Sequence, residues 1–293
     1  MNVDTPGRQL LFSTVRITNV LNSGIPTSGT GFLLFVDLAE EGRISPLLVT
    51  NKHVVANSSR LTAHFIRRKS DVDEPDLGQG VDVTLSPTDW IGHPDASVDV
   101  AVVPLASIFQ QHGHLLFTRA LPMSLLATEI TSLYTDAIEE ISFVGYPDGR
   151  HDPKHLTPIV RRGITATPLD LDLGGNPTFL VDGSVFGGSS GSPVFLFNEG
   201  AYRGPGGLHL GTRIALVGII AQTWVRGDAL PIEVAAPHVK IAKELNLGVA
   251  FNSRAIKQTV EVFAAVAGLE LRIAPAENPV AIDPTNETST PLT

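Results

Sequence analysis

The sequence of 293 residues contains no cysteine. This absence excludes a disulfide framework, a thiolate zinc site and a cysteine nucleophile. A chain without cysteine suits a reducing compartment.

Basic residues and long apolar runs are also scarce. Lys and Arg together number 21 against 30 Asp and Glu, so the formal net charge is −9, and no basic run is longer than residues 67–69. A polyanion would be repelled, so we expect no nucleic-acid partner.

Residues 1–20 lack an apolar segment of signal-peptide length, and no apolar run approaches the roughly 18 residues that cross a bilayer. We therefore expect a cytoplasmic protein with no membrane partner.

Short runs rich in Val, Ile, Leu and Phe occur along most of the chain, separated by Gly, Pro, Asn and Asp. This pattern predicts an all-β protein built from barrels or sandwiches. Residues 116–135 contain a break between two strand-rich halves. We therefore predict one β-barrel over residues 1–115, a linker over 116–135 and a second barrel within 136–273.

One helix is predicted near the C-terminus. Apolar residues recur at helical spacing from Ile256 to Ala267, Ser253 can cap the start, and Gly268 can end the helix. The segment 274–293 is rich in Pro, Thr and Asn with little to bury, which predicts a disordered tail.

The stretch FGGSSGSPVF, residues 186–195, offers two candidate nucleophiles. Ser189 fits the Gly-x-Ser-x-Gly nucleophile elbow, which needs a helix directly after the serine. Here Pro193 and an apolar run follow, which indicates a strand, so Ser190 is the better candidate. The glycines allow the amides of Gly188 and Ser190 to point together and form an anion-binding site beside the Ser190 hydroxyl.

A serine hydroxyl needs a base and a group that orients the base. His53 follows the apolar run LLVTN, and Asp99 stands at the head of the apolar run VAVVPL, with Asp95 as a rival for its role. The order His53, Asp99, Ser190 differs from the Ser, Asp, His order of α/β-hydrolases. Three residues could nominally supply that other order: Ser189, Asp228 and His238.

Taken together, these segments resemble the trypsin-like (chymotrypsin-fold) serine peptidases, particularly the bacterial, disulfide-free, Deg-like branch. The resemblance covers roughly residues 12–267 and shows no recognisable PDZ module after the protease portion. It is carried by SGTGFLL (28–34), VTNKHVV (49–55), DVAVVPL (99–105), FVGYPDG (143–149), GGSSGSPVF (187–195), LVGIIAQT (216–223) and LGVAF (247–251).

The resemblance implies two perpendicular six-stranded antiparallel β-barrels, a C-terminal helix and a catalytic cleft between the barrels. His53, Asp99 and Ser190 would form the catalytic triad, and the amides of Gly188 and Ser190 the oxyanion hole. Many family members carry Asp before the nucleophile, where this chain has Ser189. We therefore do not expect activation by cleavage of the N-terminus.

The expected activity is hydrolysis of a peptide or protein substrate through an acyl-enzyme, without a cofactor or metal. By resemblance the substrate-binding residues are Ser184, Ala221, Gln222, Thr223 and Gly248. An uncharged Ser184, with Thr223 narrowing the pocket and Gly248 leaving room, predicts a small or medium uncharged residue before the cut.

Two alternatives stay open at this stage. One is an inactive protease fold that serves as a binding or scaffold module, and the other is a serine esterase of the α/β-hydrolase type, which would need alternating helices. The histidine pairs at 112 and 114 and at 151 and 155 are interpreted as surface residues rather than metal ligands. Any regulatory element would come from elsewhere, such as a partner chain.

Overall fold

A computed structural model describes residues 3–40, 42–127, 135–185, 187–204, 206–230 and 239–272, with the side chains of 223–230 and 239–245 outside the description. The predicted tail, 274–293, lies outside the described residues. Strands dominate the described chain, which confirms the all-β class. Among these residues, no helix combines the length and the apolar character needed to cross a membrane.

The N-terminal half is a nine-stranded sheet in which β5-β4-β1-β2-β3-β7-β6 are hydrogen bonded in that order, while β8 pairs with β4 and β9 pairs with β2. Its elements are α1 (Pro6–Phe12), β1 (Thr14–Leu21), β2 (Pro26–Asp37), β3 (Ile44–Thr50), α2 (Lys52–Val55), β4 (Ser58–Arg68), β5 (Pro75–Leu85), β6 (Ile91–Gly92), β7 (Ala101–Pro104), α3 (Ala106–His112), β8 (Leu116–Phe117) and β9 (Leu121–Pro122). β8 and β9 fall inside the predicted linker yet belong to this sheet. The domain boundaries stay a prediction.

The C-terminal half contains a closed six-stranded antiparallel barrel in the order β10-β11-β12-β17-β16-β13, with β14 and β15 as a separate hairpin. Its elements are β10 (Glu140–Gly145), β11 (Ile159–Thr165), β12 (Thr178–Asp182), β13 (Pro193–Asn198), β14 (Ala201–Gly204), β15 (Gly207–Leu210), β16 (Arg213–Leu230), β17 (Val239–Asn252) and α4 (Ser253–Ala267). Closure of this barrel agrees with the predicted architecture.

Alternating burial explains how the N-terminal strands fold. In β4, Leu61, Ala63 and Phe65 are buried while their neighbours are less buried, as a strand with one face on a core requires. These side chains pack with Ile17 and Leu48 from β1 and β3 to form the core of this half. The period-two sequence pattern therefore sets which face turns inward.

A second core joins the two halves. It contains Phe32 and Val49 from the first half and Phe195 and Leu216 from the second, with Val260 of α4 packed into it. This shared core holds the two halves together.

The C-terminal helix, α4, is confirmed, with its cap one residue earlier than expected. Asn252 is the N-cap, because its side chain accepts a hydrogen bond from the Ala255 N–H at 3.2 Å, and Ser253 is the first helical residue. Gly268 ends the helix in the left-handed conformation, at φ 65°.

Candidate active site

His53 and Asp99 form a close pair within the N-terminal half. His53 lies in α2, directly after β3, and Asp99 lies just before β7, which pairs with β3. The His53 Nδ1 to Asp99 Oδ2 distance is 2.5 Å, and the His53 backbone N–H donates to Asp99 Oδ1 at 3.1 Å. Because a carboxylate only accepts, Nδ1 carries the proton, and Nε2 of a neutral ring is left as the acceptor.

The rival aspartate, Asp95, has other partners. Its carboxylate accepts hydrogen bonds from the hydroxyl and N–H of Ser97, at 2.7 and 2.8 Å, and these bonds lower the pKa of Asp95. Asp99, by contrast, is held at the start of α2, because the Asn51 side chain donates to the Asp99 backbone carbonyl at 2.6 Å. The structure therefore brings Asp99, rather than Asp95, to His53.

The candidate nucleophile lies in a tight turn between β12 and β13, which we call the nucleophile loop (residues 187–192). Gly188 and Gly191 have φ values of 76° and 89°, which residues other than glycine rarely adopt. A Cβ at Gly191 would lie 1.7 Å from the carbonyl oxygen of Thr30, and one at Gly188 would lie 2.5 Å from the Asp148 nitrogen. Both glycines are required by this close packing.

The two serines of the loop differ in environment. Ser190 is partly exposed, and its hydroxyl donates to the backbone carbonyl of Ala221 at 2.7 Å. Ser189 is 2% exposed, and its hydroxyl has no hydrogen-bond partner in the described part of the chain. Ser190 is thus the more accessible hydroxyl. In this structure it bonds to Ala221, so proton transfer to His53 requires that this hydrogen bond be exchanged for one to the imidazole.

The candidate oxyanion donors are the N–H groups of Gly188 and Ser190. Among the hydrogen bonds found in the described residues, neither N–H has an acceptor. The carbonyls on the same two peptide groups are occupied, Gly187 O by the Asp148 N–H at 2.6 Å and Ser189 O by the Ser192 N–H at 3.0 Å. Two unpaired amide donors beside a serine hydroxyl can stabilise a developing negative charge.

Four of the five predicted substrate-binding residues lie on the adjoining strands β16 and β17, and Ser184 follows the end of β12. Val181, Gly248 and Thr223 are paired side by side across β12, β17 and β16. Ala221 lies at an irregularity in the β16–β17 register, and Gln222 and Ser184 are exposed. The Thr223 side chain lies outside the described residues.

The expected space above Gly248 is filled, contrary to the sequence-based expectation. A Cβ placed at Gly248 would lie 2.5 Å from a methyl carbon of Val185 and 2.9 Å from one of Val181. Glycine at this position accommodates those two side chains rather than leaving room for a substrate.

Several polar residues outside the predicted set contact the site. Thr30, Asn51 and Asp148 all bond to the candidate residues or to the loop that carries them. Each falls inside a quoted motif, but nothing in the local sequence indicates its long-range partner. No group of three or more His, Asp or Glu suited to a metal ion is found in the part of the chain that the structure describes.

Comparison with known proteins places these residues in a family context. The family model described as "trypsin-like peptidase domain" matches residues 29–204, a segment that includes His53, Asp99 and Ser190. No curated protein matches the chain.

Several solved structures are similar to this chain at low sequence identity. Deg5 is 14% identical with a TM-score of 0.50, covering 89% of this chain and 93% of Deg5. The HtrA-type protease AlgW, solved with a tripeptide, is 15% identical with a TM-score of 0.48, and 89% of this chain spans 62% of its length. The protease Anisep from Arthrobacter nicotinovorans is 12% identical with a TM-score of 0.48, covering 87% of this chain and 96% of that protein.

Proposed function

The chain belongs to the trypsin-like peptidase family, and we propose that it is a serine endopeptidase with His53, Asp99 and Ser190 as its catalytic triad. The observation that carries the proposal is the double contact of the Asp99 carboxylate with His53, through Nδ1 and through the backbone N–H. This contact fixes both the orientation and the tautomer of the imidazole, which is what a general base beside a serine needs.

In the proposed reaction, Ser190 Oγ attacks the carbonyl carbon of the scissile peptide and its proton passes to His53 Nε2. The carbonyl oxygen becomes an oxyanion, which accepts hydrogen bonds from the N–H groups of Gly188 and Ser190. His53 then gives the proton to the leaving amine, and the C–N bond breaks to leave an ester on Ser190. Water, activated by His53, hydrolyses this acyl-enzyme and restores the serine.

Asp99 stays ionised throughout this sequence and stabilises the imidazolium that forms on His53. Loss of a triad member such as Ser190 should lower turnover by about 10⁴ to 10⁶. Loss of one oxyanion donor should cost on the order of 10² to 10³.

The proposed substrate is an extended peptide whose backbone pairs with β16 from Ala221 to Thr223. The Ala221 carbonyl that now accepts the Ser190 hydroxyl would then accept a substrate N–H, which frees the hydroxyl for His53. Ser184 remains a proposed pocket residue, and its uncharged side chain supports a small or medium uncharged residue before the cut. A cytoplasmic location, the lack of nucleic-acid and membrane partners and a regulatory partner chain stay predictions.

Labelling with a fluorophosphonate probe tests the nucleophile. We expect the wild type and Ser189→Ala to be labelled and Ser190→Ala to remain unlabelled, because Ser190 is the more exposed of the two serines in the nucleophile loop. Ser189→Ala is a matched control, since it removes the neighbouring hydroxyl from the same loop. Labelling that survives in Ser190→Ala would contradict the assignment and point to Ser189, and an unlabelled wild type would favour the scaffold alternative.

Cleavage of a peptide library by the same three proteins tests the reaction class. We expect Ser190-dependent cleavage after uncharged residues. A labelled wild type that hydrolyses simple esters but no peptide would contradict a peptidase, and a strong preference for Arg or Lys would contradict the proposed pocket.

A further inference from the structure

The nucleophile loop is anchored at every carbonyl from 187 to 190. Three of these four oxygens accept a hydrogen bond from a residue far away in the sequence, and the fourth accepts one from within the loop. The bonds are Asp148 N–H to Gly187 O (2.6 Å), Thr30 Oγ1 to Gly188 O (3.1 Å), Ser192 N–H to Ser189 O (3.0 Å) and Thr30 N–H to Ser190 O (2.8 Å).

These anchors set the direction of the oxyanion donors. No peptide bond in the described chain is cis, and in a trans peptide the C=O and N–H of one group point in opposite directions. The Gly187 carbonyl faces Asp148, so the N–H of Gly188 points away from Asp148. By the same reasoning, the N–H of Ser190 points away from Ser192.

Thr30 supplies two of the four anchors from the other half of the molecule. It lies in β2 and is fully buried, at 0% exposure. Its hydroxyl donates to Gly188 O and accepts from the Tyr146 N–H at 3.0 Å, so both its donor and one acceptor position are used. Its own carbonyl accepts from the Thr50 hydroxyl at 2.7 Å, which fixes the β2 backbone at this point.

The contact with Gly188 matters because glycine has few intrinsic restraints. Gly188 is at φ 76°, and its two flanking peptide groups are held by Asp148 on one side and by the Thr30 hydroxyl on the other. The Gly188 carbonyl belongs to the peptide group that joins the two groups carrying the oxyanion donors. Without the Thr30 hydroxyl this middle group could rotate at low cost, and the N–H groups of Gly188 and Ser190 would lose their fixed direction relative to each other.

We propose that Thr30 is a positioning residue that keeps the oxyanion hole preformed by clamping the Gly188 carbonyl through its hydroxyl. The inference rests on the proposed function, because the hole matters only if Ser190 attacks a carbonyl. It also explains how the loop is held in a chain that has Ser189, rather than a carboxylate, before the nucleophile.

Three variants test the role of the hydroxyl. Thr30→Val keeps the shape but removes both hydroxyl bonds, and Thr30→Ser keeps the hydroxyl. Thr165→Val is the matched control, because the Thr165 hydroxyl is also buried and also accepts one bond, from the Glu139 N–H at 2.9 Å, while donating another, to Ala137 O at 3.1 Å. Ala137 and Glu139 lie just before β10. The nucleophile loop lies near the opposite end of β10, roughly 17 Å along the strand from these two residues.

The main assay is steady-state hydrolysis of a fluorogenic peptide that the wild type cleaves. We expect Thr30→Val to lower kcat by about 10-fold to 10²-fold with little change in KM, bounded by the loss seen for a whole oxyanion donor. Thr30→Ser should stay near the wild type. Thr165→Val should be destabilised to a similar degree as Thr30→Val in urea denaturation yet keep its kcat.

A second readout separates positioning from general disruption. The affinity for the aldehyde analogue of the same peptide, which forms a tetrahedral adduct, should fall in parallel with kcat in Thr30→Val. Binding of the intact peptide, measured in the Ser190→Ala background with and without Thr30→Val, should stay unchanged.

Three results would overturn the proposal: an unchanged kcat in Thr30→Val, an equal loss in Thr30→Ser, or a loss in Thr165→Val of the same size. A wild type without Ser190-dependent cleavage would instead refute the proposed function itself. The two failures are therefore distinguishable.

Discussion

Replacement of Asp99 by Asn is the sharpest test of the His53 assignment. The Asp99 carboxylate accepts two N–H groups of His53, from Nδ1 at 2.5 Å and from the backbone at 3.1 Å. An asparagine side chain has one acceptor oxygen and one NH₂ donor. If the oxygen keeps the backbone N–H, the NH₂ group faces Nδ1, which must then be the unprotonated nitrogen.

This exchange places the imidazole proton on Nε2, the ring nitrogen that Asp99 does not contact. A protonated Nε2 on a neutral ring cannot accept the proton of Ser190, although the heavy atoms have hardly moved. We expect kcat to fall by about 10⁴, the size of effect that a wrong tautomer produces in such triads. That factor corresponds to about 5 kcal/mol of activation free energy.

The assay is kcat and KM for a fluorogenic peptide, together with the rate of fluorophosphonate labelling of Ser190. Asp95→Asn is the matched control, because Asp95 bonds to Ser97 rather than to His53 and should leave kcat essentially unchanged. If Asp99→Asn retained more than about a tenth of the wild-type kcat, a value far above the expected loss, the assignment of Asp99 would be wrong. An equal loss in Asp95→Asn would revive the rival aspartate.

Two further predictions concern stability. Glu139→Gln removes the carboxylate 2.5 Å from the 2%-exposed guanidinium of Arg213, so we expect the unfolding free energy to fall by about 3–5 kcal/mol in urea denaturation. Glu140→Gln breaks an exposed ion pair and should lower the unfolding free energy by less than about 1 kcal/mol. Equal losses in Glu139→Gln and Glu140→Gln would contradict the explanation by burial. Burial lowers the pKa of His64 despite its hydrogen bond to Asp82, so the folded state favours the neutral ring. The associated stability is present above the ordinary histidine pKa of about 6.5 and is lost as pH falls through that value toward the lowered one. The unfolding free energy measured at about pH 7.5 and about pH 5.5 should therefore fall less with acidification in His64→Gln than in the wild type. An identical fall in the two proteins would refute this role of His64.

Local patterns in the sequence were informative where the physics is local. Short apolar runs between turn residues predicted strands, the 253–268 pattern predicted α4, and Pro193 after the serines argued against the elbow. The closed second barrel and the helix agree with these predictions. The one-residue shift of the cap to Asn252 reflects a side-chain contact that serine and asparagine could each have made.

Such local patterns do not predict contacts between segments that are far apart in the sequence. The Thr30 hydroxyl meets Gly188 across 158 positions of the chain, and Asp99 meets His53 across 46. The sequence also suggested that Gly248 leaves space, whereas Val185 and Val181 fill it. Each outcome depends on how strands far apart in the sequence come together.

The amino-acid sequence by itself determined the strand-rich class and the candidates His53, Asp99 and Ser190, because side-chain chemistry and short-range periodicity are written residue by residue. Only the tertiary structure showed the contact of Asp99 with His53, the greater exposure of Ser190 than of Ser189, and the threonine that holds the nucleophile loop. Those features depend on strand pairing and on the packing of two halves against one core, and no short stretch of sequence encodes either.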